Sequence, residues 1–156
     1  MYSTEDQNKI AESKERWRLV SKVGPAENYC EYVRKIQGNQ TLWVNNPSKP
    51  GSLLPHQCSW ICEKGYLPSN VDKNLTLSHI CDPSRKFKNP NISCVTVEHM
   101  TEETRGENNS RKSCHNRIRK KINQSTGKRG NKTWMCDLCV DHDPPCFINT
   151  GKFIEE

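Results

Sequence analysis

The sequence predicts a small, disulfide-rich and mainly β fold. Only 32% of its 156 residues are hydrophobic, so an apolar core alone would bury little surface when the chain folds. Nine cysteines could supply the missing stabilisation through crosslinks. Between positions 30 and 94, short apolar runs alternate with stretches rich in Pro, Gly and Asn, which is typical of a small all-β domain.

The cysteines are the strongest indication of the environment in which the protein works. They are Cys30, Cys58, Cys62, Cys81, Cys94, Cys114, Cys136, Cys139 and Cys146. So many cysteines in a short chain are typical of a secreted, oxidised protein. The alternative is a reduced intracellular protein whose cysteines bind a metal. The sequence favours crosslinks.

Asn-X-Ser/Thr sequons point to the same environment. Six are present, at Asn39, Asn74, Asn91, Asn108, Asn123 and Asn131. Chance would give roughly two, so the excess favours glycosylation and an extracellular location. The N-terminal residues nevertheless lack a signal peptide, and no segment is long and apolar enough to span a membrane. We therefore expect a secreted chain with a truncated or alternative start, unless the protein is intracellular.

The distribution of charge and the positions of stretches rich in Pro, Gly and Asn divide the chain into four parts. They are a polar arm or short helix over 1–29, a disulfide-rich module over 30–97, a linker over 98–110, and a basic, cysteine-containing lobe over 111–156. In the first part, Ile10, Trp17 and Val20 have helical spacing. The second part contains "CSWICEKGY", which we interpret as a core strand followed by a turn.

Those nine residues and their neighbours resemble the middle of a sushi domain, also called a complement control protein module. The matching positions are Trp60, Cys62, Gly65 and Tyr66, followed by "CDPSRKFKNPNISC" with Phe87 where the family has tryptophan. The resemblance covers residues 30 to 94. It implies an elongated β-module with Cys30 bonded to Cys81 and Cys62 bonded to Cys94, and a small core of Trp60, Tyr66 and Phe87.

Cys58 is additional to that four-cysteine framework. If the C-terminal lobe pairs its own four cysteines, Cys58 is left without a partner. It could then link two chains into a disulfide-bonded dimer, bond to a missing segment, or remain buried.

The C-terminal lobe begins with a run of cations that would attract polyanions. The candidate binding residues are Arg117, Arg119, Lys120, Lys121, Lys128 and Arg129. For a secreted protein the polyanion would be a sulfated glycosaminoglycan such as heparin, and for a nuclear protein it would be nucleic acid. A solvated basic loop without a partner is the simplest alternative.

The last cysteines allow two interpretations. Cys136 and Cys139 have the C-x-x-C spacing of a zinc knuckle, which His142 or Cys146 could complete together with Cys114 or His115. In an oxidising compartment, Cys114, Cys136, Cys139 and Cys146 would instead form two bridges. The sequence favours the bridges, so we expect no metal and no cofactor.

No catalytic constellation is recognisable, because the five histidines are scattered and none belongs to a nucleophile motif. We therefore expect a non-enzymatic extracellular glycoprotein that binds a protein ligand, a receptor or a sulfated glycan, with nucleic acid an unlikely partner. One alternative is a secreted cysteine-rich effector or inhibitor that captures host immune proteins. The other is an intracellular, zinc-dependent nucleic-acid-binding protein.

Overall fold

Four two-stranded antiparallel sheets and four helices make up the computed structural model of the protein, which describes residues 1–24, 27–35, 44–82, 94–124, 132–135, 139 and 142–150. The helices are α1 (Thr4–Lys14), α2 (Pro55–Lys64), α3 (Pro68–Val71) and α4 (Arg105–Gln124), and a 3₁₀ turn spans Val97–His99. The strands are β1 (Trp17–Val23), β2 (Cys30–Lys35), β3 (Val44–Asn45), β4 (Ser52–Leu53), β5 (Leu75–His79), β6 (Met100–Thr104), β7 (Lys132–Met135) and β8 (Phe147–Thr150).

Each strand pairs with one partner: β1 with β2, β3 with β4, β5 with β6, and β7 with β8. A two-stranded ribbon is marginally stable by itself, so these pairs depend on packing against helices and on one another. The coarse prediction of a small, cysteine-rich fold with short antiparallel strands is therefore confirmed. The chain also has several helices, so the mainly-β prediction holds only in part.

The stretch predicted as a core strand and turn is the helix α2, so that interpretation was wrong. Pro55 occupies the first turn, where a missing N–H is tolerated, and Gln57 Oε1 accepts a hydrogen bond from the Leu54 N–H at 2.8 Å. The helix ends at Gly65, whose φ of 81° is left-handed and whose N–H donates to the Ile61 carbonyl at 2.8 Å.

The largest core cluster lies between α1 and α2. Its buried members are Tyr2, Ile10, Val44, Leu53, Cys58, Trp60, Ile61, Leu67, Leu77 and Met100. Trp60 meets Tyr66 edge to face, with ring centroids 6.3 Å apart. Of the three aromatic side chains expected to form the core, Trp60 is buried in this cluster, Tyr66 contacts it from a half-buried position outside the cluster, and Phe87 lies outside the described residues.

Residues 98–110, predicted as a linker, form the end of the 3₁₀ turn, all of β6 and the start of α4. Met100–Thr104 pairs with β5 in the register Leu77↔Glu102. Thr104 and Glu107 then form a capping box, because the Glu107 N–H donates to Thr104 Oγ1 at 3.2 Å and the Thr104 N–H donates to Glu107 Oε2 at 2.9 Å. The Thr-x-x-Glu signal was present in the sequence.

The glycine that ends α2 offers a test of this helix. Gly65→Ala should lower the free energy of unfolding by about 1 kcal/mol, because alanine resists a left-handed φ. Gly106→Ala, in the first turn of α4, is the matched control and should be neutral or stabilising by up to about 1 kcal/mol. Melting temperatures measured under identical solution conditions would compare the two. Equal shifts would contradict the assigned end of α2.

Candidate metal centres

Four buried side chains converge at one point, here called site one. Its members are Cys30 at the start of β2, Cys81 just after β5, Cys94, and His99 at the end of the 3₁₀ turn. Their sulfur and imidazole nitrogen atoms all lie within 4.8 Å of one another. Elements from distant parts of the chain thus supply one compact set of ligands.

Site one has the separations that a tetrahedral ion requires. The Nδ1 atom of His99 lies 3.3 Å from Cys30 Sγ and 3.6 Å from Cys94 Sγ. With a Zn–S bond of about 2.3 Å and a Zn–N bond of about 2.0 Å, sulfur and nitrogen ligands of tetrahedral zinc lie about 3.5 Å apart. The observed distances fit zinc.

Neighbouring polar groups orient the ligands of site one. His99 Nε2 donates to Asn28 Oδ1 at 2.6 Å, which leaves the Nδ1 lone pair available for a metal. Asn149 Nδ2 donates to the Asn28 carbonyl at 2.7 Å and to Cys30 Sγ at 3.2 Å. Outer hydrogen bonds of this kind are a regular feature of metal-binding histidines and thiolates.

The thiols of site one differ in acidity. Burial raises the pKa of Cys81 well above its ordinary value. Burial acts in the same direction on Cys94, but hydrogen bonds with Cys30, Cys81 and His99 outweigh it and hold the pKa of Cys94 well below its ordinary value. One thiolate is therefore favoured within the cluster even without a cation.

A second tetrad, here called site two, involves α4. Its members are Cys114, Cys139, His142 and Cys146, again within 4.8 Å of one another. His142 Nδ1 lies 3.4 Å from Cys114 Sγ, 2.8 Å from Cys139 Sγ and 3.5 Å from Cys146 Sγ. Cys139 and Cys146 have their sulfur atoms 3.9 Å apart. Site two is less buried than site one, because Cys139 and His142 are partly exposed.

Residues of α4 also support site two from outside. His142 Nε2 lies 2.9 Å from Ser110 Oγ, and Arg117 Nη2 donates to Cys114 Sγ at 3.2 Å. A cation beside a sulfur atom stabilises its thiolate. These contacts tie the last segment of the chain to the middle of the helix.

Arg111 is the most deeply buried charge near site two, with a side chain 1% exposed. Its Nε donates to Glu103 at 2.6 Å, and its Nη1 donates to the Pro144 carbonyl at 2.7 Å and to Cys146 Sγ at 3.6 Å. Burial raises the pKa of Cys146 to about 12, the Cys139 thiol adds to that rise, and Arg111 opposes it.

Three cysteines and one histidine form the donor set of structural zinc sites. Zn²⁺ is borderline-soft and accepts thiolate and imidazole together, whereas calcium and magnesium prefer oxygen ligands. Both tetrads supply the required ligand types within 4.8 Å of one another. In each, a bound zinc ion would act as a crosslink between elements, because the four ligands leave no position open for substrate.

A short backbone junction joins the two tetrads. Cys81 forms a parallel bridge with Phe147, the Phe147 N–H donates to the Ile80 carbonyl at 3.3 Å, and the Asp82 N–H donates to the Phe147 carbonyl at 3.0 Å. Cys81 belongs to site one, and Cys146 of site two precedes Phe147. Ordering one tetrad therefore positions a ligand of the other.

The disulfides that the sushi resemblance implied are absent from this arrangement. All eight described cysteines are free thiols. Cys30, Cys81 and Cys94 all belong to site one. Cys30 and Cys81 therefore lie within a group of four ligands and are not joined by a disulfide. Cys62 lies on α2 against the largest core cluster, away from its expected partner Cys94.

The C-terminal disulfides are absent in the same way. Cys114, Cys139 and Cys146 meet around His142 as free thiols, and Cys136 lies outside the described residues. The zinc alternative had named His142 and Cys114 correctly as neighbours. His115 lies elsewhere, with Nε2 donating to the Ile80 carbonyl at 2.9 Å.

Cys58 is fully buried in the largest core cluster. Burial, with the neighbouring Cys62, raises the pKa of Cys58 to about 12, so its thiol is neutral and unreactive. A thiol enclosed in this way cannot link two folded chains. The dimer considered from the sequence would require the core to open.

The predicted glycosylation sites occupy different environments. Asn74 is exposed beside β5, whereas Asn108 is half-buried on α4 and its Oδ1 accepts a hydrogen bond from Ser78 at 3.0 Å. Asn123 lies near the end of α4, and Asn39, Asn91 and Asn131 lie outside the described residues.

The predicted polyanion-binding cations also separate. Arg117 and Lys120 are exposed on α4, Arg119 is half-buried and contacts Asp82, Lys121 lies on the same helix, and Lys128 and Arg129 lie outside the described residues.

Among the described residues, no helix combines the length and the apolar character needed to cross a bilayer.

Comparison with protein-family models, with curated proteins and with solved structures gives no match for this chain. The assignment of the two tetrads therefore depends on their geometry and ligand chemistry.

Protein purified from a reducing host should carry two equivalents of zinc and no disulfide. The reason is that two Cys₃His tetrads each fit one ion. Elemental analysis and thiol counting before and after denaturation in chelator would measure both quantities. A metal-free, oxidised protein that remains folded would contradict the zinc assignment.

Cys81→Ser should remove at least one zinc equivalent and also weaken the second, because Cys81 lies at the junction of the two sites. Cys62→Ser is the matched control, since Cys62 belongs to neither tetrad. Chelator competition would give the two zinc affinities of each variant. Equal zinc content and affinity in both variants would rule out Cys81 as a ligand.

Proposed function

We propose that this chain is a zinc-stabilised nucleic-acid-binding module that contacts the phosphate backbone through the exposed face of α4. The observation that carries the proposal is the position of Cys114. This residue of α4 belongs to site two, so a metal there would fix the helix to the rest of the fold with its opposite face outward.

The two faces of α4 differ sharply in chemistry. The buried face consists of Arg111, Cys114, His115 and Ile118, whose spacing places them on one side of a helix. The exposed positions include Arg105, Asn109, Lys112, Ser113, Asn116, Arg117 and Lys120. The outward face is thus cationic and amide-rich.

Acidic neighbours neutralise only the inner cations. Arg111 pairs with Glu103 and Arg119 with Asp82. Within the part of the chain that the structure describes, Arg105, Lys112 and Lys120 form no ion pair. Glu107, which caps the helix, is the one acidic residue of α4. The exposed face therefore keeps its positive charge for a partner.

The size of this face suits a nucleic acid. From Arg105 to Lys120 the helix rises about 22 Å at about 1.5 Å per residue. The major groove of B-DNA is about 12 Å wide and admits an α-helix, and lysine and arginine displace counterions from phosphates. Asn109 and Asn116 lie between the cations, and asparagine amides hydrogen-bond to base edges.

The ligand chemistry favours nucleic acid over a sulfated glycan. Thiolate-based zinc sites persist where thiols are kept reduced, and the polyanions of such compartments are DNA and RNA. The extracellular glycoprotein and the secreted effector would both need the same cysteines in disulfides. Sulfated glycan binding remains a distinct outcome of the test below.

The test compares zinc-loaded wild type with Lys112→Gln/Lys120→Gln on a 20-base-pair duplex by fluorescence anisotropy. Each lost phosphate contact should lower the slope of log affinity against log salt by about one, so the double variant should lose about two. Lys9→Gln/Lys49→Gln is the charge-matched control and should keep the wild-type slope, since both residues lie outside α4.

Zinc content must be equal in all three proteins. Retention on heparin without binding to DNA or RNA would overturn the nucleic-acid proposal and favour the glycan. An equal loss of slope in the control variant would show that binding depends on the net charge of the protein and does not depend on the exposed face of α4.

A further inference from the structure

A cleft of about 850 Å³ lies on a part of the molecule that the proposed function does not use. Residues of β1, β2, α2 and the 3₁₀ turn line it, together with the segment from Glu27 to Tyr29. His99 of site one also reaches its wall. The cleft is large enough to admit several side chains of a partner.

The charge of the cleft is opposite to that of the whole chain. Its lining includes the carboxylates of Glu27, Glu31, Glu63 and Glu98, of which Glu63 forms an exposed ion pair with Lys64 at 3.5 Å. Lys14 is the one Lys or Arg among the described lining residues. The chain has a formal net charge of +6, so a concentration of acidic groups here is a local feature.

Two aromatic rings stand beside those carboxylates. Trp17 and Tyr29 both line the cleft and are partly exposed. The Tyr29 ring already holds a cation, since Lys22 Nζ lies 4.7 Å from its centroid. Aromatic faces next to carboxylates are suited to ammonium and guanidinium groups.

A largely buried serine with an unpaired hydroxyl lies at the wall of the cleft. Ser59 is 5% exposed and lines the cleft. Its hydroxyl makes no hydrogen bond to any residue that the structure describes. The hydroxyl is reached by solvent from the cleft and is therefore available to hydrogen-bond with a bound group.

We propose that this cleft binds a lysine- or arginine-rich peptide segment of a partner protein. The cationic heads would lie among Glu31, Glu63 and Glu98, the aliphatic stems would lie against Trp17 and Tyr29, and one donor would reach Ser59. Charge complementarity selects a basic partner, and the apolar rings favour side chains with long stems over free inorganic cations.

The experiment uses the full-length, zinc-loaded chain and a fluorescein-labelled peptide of four lysines alternating with glycine. Anisotropy should show saturable binding that weakens as salt is added. The same peptide with glutamine in place of lysine should not bind. Glu31→Gln/Glu63→Gln should weaken binding to the lysine peptide by about tenfold, taking two- to fivefold for each exposed pair.

The matched control is Glu5→Gln/Glu12→Gln, which removes the same charge from exposed positions that do not line the cleft. It should leave peptide affinity within about twofold of wild type, since distant exposed charges are screened. Tyr29→Leu should also weaken binding, because the aromatic face is lost. Zinc content, measured for each variant, must match that of wild type.

Three outcomes would overturn the proposal: no saturable binding, equal loss in both double variants, or equal affinity for the lysine and glutamine peptides. Self-association that only Glu31→Gln/Glu63→Gln abolishes would instead identify a second copy of this chain as the occupant. Duplex binding should be unchanged in the cleft variants. Failure of the cleft and failure of the α4 interface are thus distinguishable.

Discussion

The junction between Cys81 and Phe147 connects the two tetrads, and much of the fold depends on it. Phe147 belongs to the small buried cluster that contains three ligands of site one, and Ile148, the next residue, packs with Cys114 and Cys146 of site two. Among the residues that the structure describes, the strands form four separate two-stranded sheets, and no larger sheet connects them. The largest core cluster and the two ligand clusters are the contacts that span these elements. An ion held in each tetrad would crosslink them further, as a chain with so few hydrophobic residues requires.

The cysteines could stabilise the fold either as disulfides or as zinc ligands. The sequence alone therefore did not distinguish a disulfide-bonded protein from a metal-binding one. Low hydrophobicity requires crosslinks but leaves their chemistry open. For site two a signal existed, since Cys139, His142 and Cys146 lie close together in sequence. Site one has no comparable signal in the sequence, because Cys30 and His99 are 69 residues apart. Only the tertiary fold brings such ligands together, so the sequence could not predict this set.

Helix boundaries show a similar division between local and tertiary causes. The short helix expected near the N-terminus exists as α1, which is capped by Ser3 and packs through Ile10. It ends at Lys14, so Trp17 and Val20, whose spacing had suggested the same helix, lie in β1. The Thr-x-x-Glu spacing of Thr104 and Glu107 is that of a capping box, but the polar composition around it favoured a linker over a helix. Helix α2 was mistaken for a strand because its apolar run is short, and only packing against α1 shows which of its faces is buried.

The two proposed surfaces are linked through the tetrads, and this linkage has a thermodynamic consequence. His99 of site one lines the acidic cleft, and Cys114 of site two lies on the cationic helix. A partner that binds only the folded form stabilises it and raises its affinity for metal, and metal must raise the affinity for that partner by the same factor. Because Cys81 and Phe147 join the sites, loss of either metal should weaken both surfaces. Metal occupancy would then control recognition without any ligand touching the metal itself.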